Sequence, residues 1–142
     1  MTPEEIERWN KDGCVERSVH EVARMNGGTM TKEEFVERFG VKLDDSAYFD
    51  TLRDLSIPFR AKTTDYSEIS RALNVEGRRV LVFSEVHLDR GNTTPNKHCS
   101  VLLKIDDAGF TVWTPLQNGG EEQKEMLRDE WAEKQCSGAI LG

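Results

Sequence analysis

The sequence has little cysteine, little proline and no long hydrophobic run. Its 142 residues include three cysteines and four prolines, and no stretch approaches the roughly 18 continuous apolar residues of a membrane span. The N-terminus, MTPEEIERWNKDG, is acidic and polar, where a signal peptide would be basic and then apolar. We therefore expect a soluble protein with no membrane span, which is cytoplasmic or is delivered without an N-terminal signal peptide.

The sequence also has fewer basic than acidic residues. Nineteen Lys and Arg stand against twenty-six Asp and Glu, which gives a formal net charge of -7, and neither sign forms a run of five. Nucleic-acid binding needs a basic surface, so this balance argues against nucleic acid as a partner. An acidic surface weakly favours a basic partner. The length fits one domain, residues 1–142, which would bury about two-thirds of its unfolded surface.

The cysteine pattern excludes two classes of protein. Three cysteines are an odd and sparse set for a secreted disulfide scaffold, and no C-x-x-C pair indicates a zinc or redox site. The sequence therefore predicts no metal and no cofactor. Because histidines accompany the cysteines, the first chemistry to look for is a thiol-imidazole pair. The candidates are Cys14, Cys99, Cys136, His20, His87 and His98.

The first half of the chain has helical patterning. From residue 2 to about 74 the apolar positions recur at helical spacing, and Asn26-Gly27-Gly28 supplies an end signal. Thr31 with Glu34 forms a capping box, which predicts a helix that Gly40 closes. Further helices are predicted over about 46–55 and 67–73, giving a helical half of about 1–75.

The second half, about 79–142, has strand patterning. Short apolar runs at 80–83 and 99–105 predict strands, and turn chemistry at 106–109 joins the latter to 110–113 as a hairpin. The polar stretch 121–134 has helical spacing and predicts a helix, and 139–141 predicts a final edge strand. Helices, then an antiparallel sheet, then a helix is the α+β class.

Cys14 and His98 have the placements that thiol chemistry would need. Cys14 opens the first strong helix, where free N-H groups and a partial positive charge of about half a unit favour thiolate over thiol. Those N-H groups can also bind an oxyanion. His98 begins a predicted strand, behind a loop at 89–97, so its imidazole can lie at an edge of the sheet. The two are distant in sequence, so only the fold could bring them together.

Each candidate also has an ordinary structural interpretation. A cysteine at a helix start is often a small buried hydrophobe, and a histidine at a strand start commonly bonds a neighbouring loop. Cys99 alternates with His98 and should point into the core. Cys136 follows the polar end of a helix and should be structural or exposed. The remaining two histidines are weaker choices of base, since His20 projects from another helix face and His87 lies in a polar region.

The order of these features resembles the papain-like architecture. A cysteine opens the first long helix, more helices follow, and a histidine opens a strand whose hairpin partner ends in an aromatic and Pro. Within that architecture the chain is most similar to the C39 peptidase family, bacterial enzymes that cleave bacteriocin leader peptides after a double glycine. The resemblance is carried by residues 12–14 with 22–28, 31–40 with 47–57, 98–105 with 110–115, and 130–131 with 137–141.

The resemblance implies a site. Cys14 would be the nucleophile and His98 the base, with Thr114 or Asn118 orienting the ring. Asn10 is the nearest amide to the position where the family places an oxyanion-hole Gln, and Thr114-Pro115 stands where the family has Asp-Pro. The Cys14 N-H would complete the oxyanion hole. Trp9 and Trp113 are placed at the walls of the substrate cleft, with core packing as their alternative.

The resemblance implies two alternative functions, and a third interpretation of the sequence involves no catalytic or binding site. The first is a papain-like thiol hydrolase, a peptidase or amidase acting on a peptide or protein; no transporter follows the domain, so we expect a standalone protein. The second is a catalytically weakened C39-like domain that binds a peptide or protein partner in an effector, inhibitor or immunity role. The third is a small α+β domain whose Cys and His never meet. The sequence does not predict the oligomeric state.

Overall fold

The computed structural model describes the backbone of residues 1–41, 45–87 and 95–142, and the side chains outside 42–47 and 86–97. Over these residues the chain forms six helices and six strands. In chain order they are α1 (Pro3–Asp12), α2 (Cys14–Met25), α3 (Lys32–Phe39), α4 (Asp45–Asp54), β1 (Phe59–Thr63), α5 (Tyr66–Asn74), β2 (Val80–His87), β3 (Pro95–Ile105), β4 (Gly109–Pro115), β5 (Glu121–Leu127), α6 (Asp129–Glu133) and β6 (Ser137–Leu141).

The strands form one sheet in the order β1-β6-β2-β3-β4-β5, and every neighbouring pair is antiparallel. The α+β class predicted from sequence is therefore confirmed. The predicted hairpin is β3 with β4, in which Ile105 lies opposite Phe110 and Val101 opposite Trp113. None of the described helices is long and apolar enough to cross a membrane.

The helix starts follow local capping chemistry. The Thr31 side chain accepts from the Glu34 N-H while the Glu34 carboxylate accepts from the Thr31 N-H, as the capping box predicts. Thr2 and Glu5 form the same reciprocal pair at the start of α1, with Pro3 at the first helical position. These bonds satisfy donors that a helix N-terminus would otherwise leave free.

Three strand predictions were wrong. Residues 121–127 form β5 rather than a helix, because backbone pairing along the whole of β4 overrides their helix-favouring Glu and Lys side chains. The charged, exposed side chains of β5 suit an edge strand. β6 is not an edge, since it lies between β1 and β2 and is almost wholly buried. β1 adds a strand inside the half predicted to be helical.

Helices cover both faces of the sheet. Strand residues alternate between faces, so Leu81 and Val101 pack with α1 to α4 in one core cluster. Val82, Leu102 and Val112 pack with α5 and α6 in a second cluster on the opposite face. The face to which a side chain belongs therefore decides which helices it meets.

Candidate active site

The start of α2 is hydrogen-bonded to β3 and to the segment that follows β4. The Ser18 hydroxyl donates to the Cys99 carbonyl at 3.1 Å. The Arg17 guanidinium donates to the Leu116 carbonyl, directly after β4, at 2.7 Å. These bonds place Cys14 near the part of the sheet that carries His98.

Gly13 allows α1 and α2 to meet at Cys14. It lies between the two helices, and a Cβ at this position would sit 2.5 Å from the Trp9 carbonyl oxygen. No side chain fits at that separation, so only glycine permits the close approach of the end of α1 to the start of α2. Glycine is therefore required before Cys14 for steric reasons, whatever the chemical role of the cysteine.

The Cys14 sulfur lies in a mixed environment. The side chain is partly buried, and burial raises the pKa of the thiol above its ordinary value of 9.0. The Cys99, Val15 and Cys14 backbone N-H groups lower this pKa, and the Glu16 carboxylate raises it. The helix N-terminus thus favours thiolate as expected, but burial dominates, and Cys14 is a neutral thiol near neutral pH.

The imidazole of His98 is held by a hydroxyl pair. Its Nε2 lies 2.5 Å from the Thr114 Oγ1, and the Ser100 hydroxyl donates to the same oxygen at 3.2 Å. Thr114 and Ser100 are both buried. When Nε2 carries the ring proton and donates it to Thr114, Nδ1 is left as an acceptor for a thiol proton.

Burial and neighbouring cations keep this imidazole neutral. Burial lowers the pKa of His98 from its ordinary 6.5, and the charges of Lys124 and Arg17 lower it further. With the raised pKa of Cys14, this makes the resting pair thiol and imidazole rather than thiolate and imidazolium.

One cleft contains the predicted pair. It has a volume of about 640 Å³ and is lined by Cys14 and His98 together with Asn10, Thr114 and Gln117. The structure therefore brings together the proposed nucleophile, base, orienting hydroxyl and oxyanion-hole amide. The rest of its lining is Lys11, Asp12, Arg17, Val82, Ser84, Ser100, Phe110, Val112, Pro115, Leu116, Glu122, Lys124, Met126, Lys134 and Cys136.

The Asn10 side chain lies against the turn between β4 and β5. A Cβ at Gly119 would lie 3.0 to 3.1 Å from the side-chain atoms of Asn10, and Gly119 has a φ of 93°. Both the left-handed backbone and the close approach of Asn10 require glycine there. The turn therefore packs against one of the residues that line the cleft.

Three predicted site residues lie elsewhere. The Asn118 side chain accepts from the Gly120 N-H at 2.8 Å, within its own turn. Trp113 alternates with Thr114 along β4, so it points into the opposite core and is 8% exposed. Trp9 packs edge-on against His20 and Phe35. Neither tryptophan is among the described residues that line the cleft, and both are buried in the core, which is the alternative that the sequence left open for them.

The other cysteines and histidines have structural surroundings. Cys99 is fully buried in the core, as expected, and Cys136 is buried but borders the cleft. The His20 Nε2 lies 2.7 Å from the Met30 carbonyl oxygen, away from the cleft. The His87 side chain and most of the loop predicted at 89–97 lie outside the described residues.

Arg17 is a cleft residue that sequence reasoning missed. It is 5% exposed and donates to the carbonyls of Leu116 at 2.7 Å, Gly120 at 2.6 Å and, at 3.5 Å, Asn10. It therefore ties α2 to the β4-β5 turn and to the end of α1. Its position three residues after Cys14, on the same helix face, was the available signal.

Within the described part of the chain, no group of three or more His, Cys, Asp or Glu side chains is placed to hold a metal ion. Comparison with protein-family models, curated proteins and solved structures gives no match in any of the three. The function therefore has to be argued from the cleft itself.

Proposed function

We propose that the protein is a papain-like thiol hydrolase, similar to the C39 peptidases, that acts on a peptide or protein amide. The observation that carries the proposal is that Cys14, at a helix N-terminus, and His98, held at Nε2 by Thr114, line one cleft. A nucleophile, a base and a group that orients the base are the parts that such catalysis requires.

The reaction would proceed through a thioester. His98 Nδ1 takes the thiol proton as the Cys14 sulfur bonds to the amide carbon, and the oxyanion is met by the Cys14 N-H and the Asn10 amide. Where it has been measured, such a donor contributes about 2.7 to 4 kcal/mol. His98 then returns the proton to the leaving amine as the C-N bond breaks. Water, deprotonated by His98, next attacks the thioester, releasing the acid and restoring the thiol.

The cleft has a neighbour. A second cleft of about 530 Å³ shares the lining residues Ser84 and Cys136 with the first, so the two clefts are adjacent. A volume of this size on its own suits a small ligand. Two adjacent clefts favour a longer ligand, such as a peptide segment.

A second candidate is a domain that binds a peptide or protein without cleaving it, in an effector, inhibitor or immunity role. Thr114 favours it, because a hydroxyl can hold the imidazole but stabilises imidazolium less than a carboxylate does. The raised pKa of Cys14 and the lowered pKa of His98 act in the same direction. The same cleft would then bind the partner without cleaving it.

Alkylation by iodoacetamide tests the proposed pair. Mass spectrometry follows each cysteine-containing peptide, with buried Cys99 and Cys136 as internal controls. We expect Cys14, which lines the cleft, to be labelled faster than the two controls. His98→Gln should slow that labelling, and His20→Gln, a matched change outside the cleft, should leave it unchanged. Equal labelling of all three cysteines, or an equal effect of both histidine variants, would rule out the pair.

Cleavage separates the two candidates. The protein and its Cys14→Ala variant are each incubated with a mixed peptide library, and new termini are read by mass spectrometry. New termini that require Cys14 support the hydrolase. Retention of peptides by both forms, without any cleavage, supports the binding domain.

A further inference from the structure

We infer that the cleft selects a substrate with a negative charge beside the reacting amide, an acidic peptide, and that Lys124 and Lys134 receive that charge. This inference rests on the proposed function, since it names the substrate class for the same cleft.

The residues that line the cleft have a positive formal charge, whereas the protein as a whole has a negative one. The chain carries a formal net charge of -7, yet the side chains lining the cleft include four permanent cations and two carboxylates. The cations are Lys11, Arg17, Lys124 and Lys134, and the carboxylates are Asp12 and Glu122. Composition alone favoured a basic partner, and the local charge of the cleft favours an acidic one.

Two of these cations are already engaged. Lys11 pairs with Glu7 at 2.9 Å on the exposed surface of α1, and Arg17 donates to carbonyls of the β4-β5 turn. Lys124 and Lys134 form no ion pair with the side chains that the structure describes. They are therefore the cations best able to meet a carboxylate that enters the cleft.

The field of Lys124 reaches the reacting groups. Burial is the main cause of the lowered pKa of His98, and the charges of Lys124 and Arg17 lower it further. Burial raises the pKa of Cys136 to about 11; the charge of Lys134 opposes that rise and the Glu130 carboxylate adds to it. Cys136 and His98 line the same cleft. Lys124 on β5 and Lys134 after α6 therefore act on two groups of the one cleft.

Lysine suits this role physically. An ammonium is a compact point charge on a flexible stem, which attracts a carboxylate without fixing its geometry. Cations at the rim of a site act chiefly on encounter rates, and their effect falls as salt screens them. We therefore expect the cleft to favour anionic reagents at low ionic strength and to lose this preference at high salt.

Two alkylating agents of nearly equal size provide the test, since iodoacetate is an anion and iodoacetamide is neutral. The measured quantity is the ratio of their rate constants at Cys14, at pH 8 and low salt, read from the Cys14 peptide. The intrinsic difference between the reagents cancels when variants are compared. Changing both Lys124→Gln and Lys134→Gln should lower the iodoacetate to iodoacetamide ratio by about tenfold, as for two ammonium charges that each lie about 6 Å from the reagent's carboxylate in bulk water.

Lys104→Gln is the matched control, because Lys104 is an exposed lysine of β3 that is not among the cleft-lining residues. It should leave the ratio at the wild-type value. Raising the ionic strength to about 1 M, where the screening length is about 3 Å, should bring the wild-type ratio down to that of the double variant. A double variant with the wild-type ratio, or a Lys104→Gln effect of equal size, would overturn the inference.

Failure of the proposed function has a different signature. If the iodoacetamide rate at Cys14 does not depend on His98, the catalytic pair is wrong, whatever the ratio of the two reagents. If the iodoacetamide rate depends on His98 but the ratio of the two reagents is unchanged by the Lys124 and Lys134 substitutions, the Cys14–His98 pair is supported. The inference of an acidic substrate is then wrong.

Discussion

Replacing Arg17 by Met should destabilise the protein and loosen the site together. The guanidinium makes two short bonds, to the carbonyls of Leu116 and Gly120, and hydrogen bonds to a charged group contribute about 1.5 to 3 kcal/mol each. Two effects reduce that sum. The variant no longer buries a charge, and the freed carbonyls border the cleft, where water can bond them. We therefore expect a loss of about 2 to 4 kcal/mol in the free energy of unfolding.

The assay is urea unfolding followed by circular dichroism, with Arg53→Met as the control. Arg53 pairs with Asp50 on α4, and the two side chains are 75% and 61% exposed. Such a surface pair contributes about 0.2 to 1 kcal/mol. Arg17→Met should lower the midpoint with little change in slope, and Arg53→Met should barely move it. Equal midpoints for the two variants would refute the reasoning.

Arg17→Lys separates charge from geometry. Lysine keeps the positive charge, but its ammonium lacks the planar fork that reaches two carbonyls at once. We expect a loss of about 1 to 3 kcal/mol, between wild type and Arg17→Met. Both variants should also slow the alkylation of Cys14 by iodoacetamide, because Arg17 ties the helix that carries Cys14 to the turn after Thr114.

Three further predictions concern the orienting hydroxyl, pH and the core. Thr114→Val should slow iodoacetamide alkylation of Cys14 about tenfold, the equivalent of one lost hydrogen bond of 1.4 kcal/mol, and Thr114→Ser should recover most of the rate. Because the folded pKa of His98 is lowered from 6.5, the folded state binds fewer protons there, so the free energy of unfolding should fall as pH drops below 6.5. Burial raises the pKa of Cys14, so the free energy of unfolding should fall as pH rises above 9.0. In urea titrations Cys14→Ser should make that fall shallower without removing it, because burial also raises the pKa values of Cys99 and Cys136. Leu52→Ala, at a fully buried site, should cost about 2 to 5 kcal/mol in the same assay, whereas Leu127→Ala, 70% exposed, should change stability by less than about 0.5 kcal/mol.

Predictions that rested on short-range chemistry matched the structure. The capping box at Thr31 begins a helix, turn residues at 106–109 join two paired strands, and a helix starts at Cys14. Each of these depends on residues within a few positions of one another. Caps, turns and helical spacing are therefore readable without knowledge of the fold.

Predictions that depended on strand pairing were less successful. The Glu-rich residues of β5 favour a helix on their own, and their pairing with β4 is what makes them a strand. The position of β6 between β1 and β2 depends on partners about 60 to 80 residues earlier in the chain. The choice between cleft wall and core for Trp113 was left open for a related reason, since the side of β4 that meets the cleft is set by what packs on each face.

The sequence by itself determined the α+β class, the helix that Cys14 opens and the strand that carries His98, because local patterns are sufficient for each. Only the tertiary structure decided that these two residues share a cleft, that Thr114 rather than Asn118 holds the imidazole, and that Arg17 joins the parts. It also decided that the cleft is positive on a protein of net charge -7. These features arise between groups far apart in the chain, such as Arg17 and Gly120, where geometry rather than proximity in sequence sets which charges and hydrogen bonds meet.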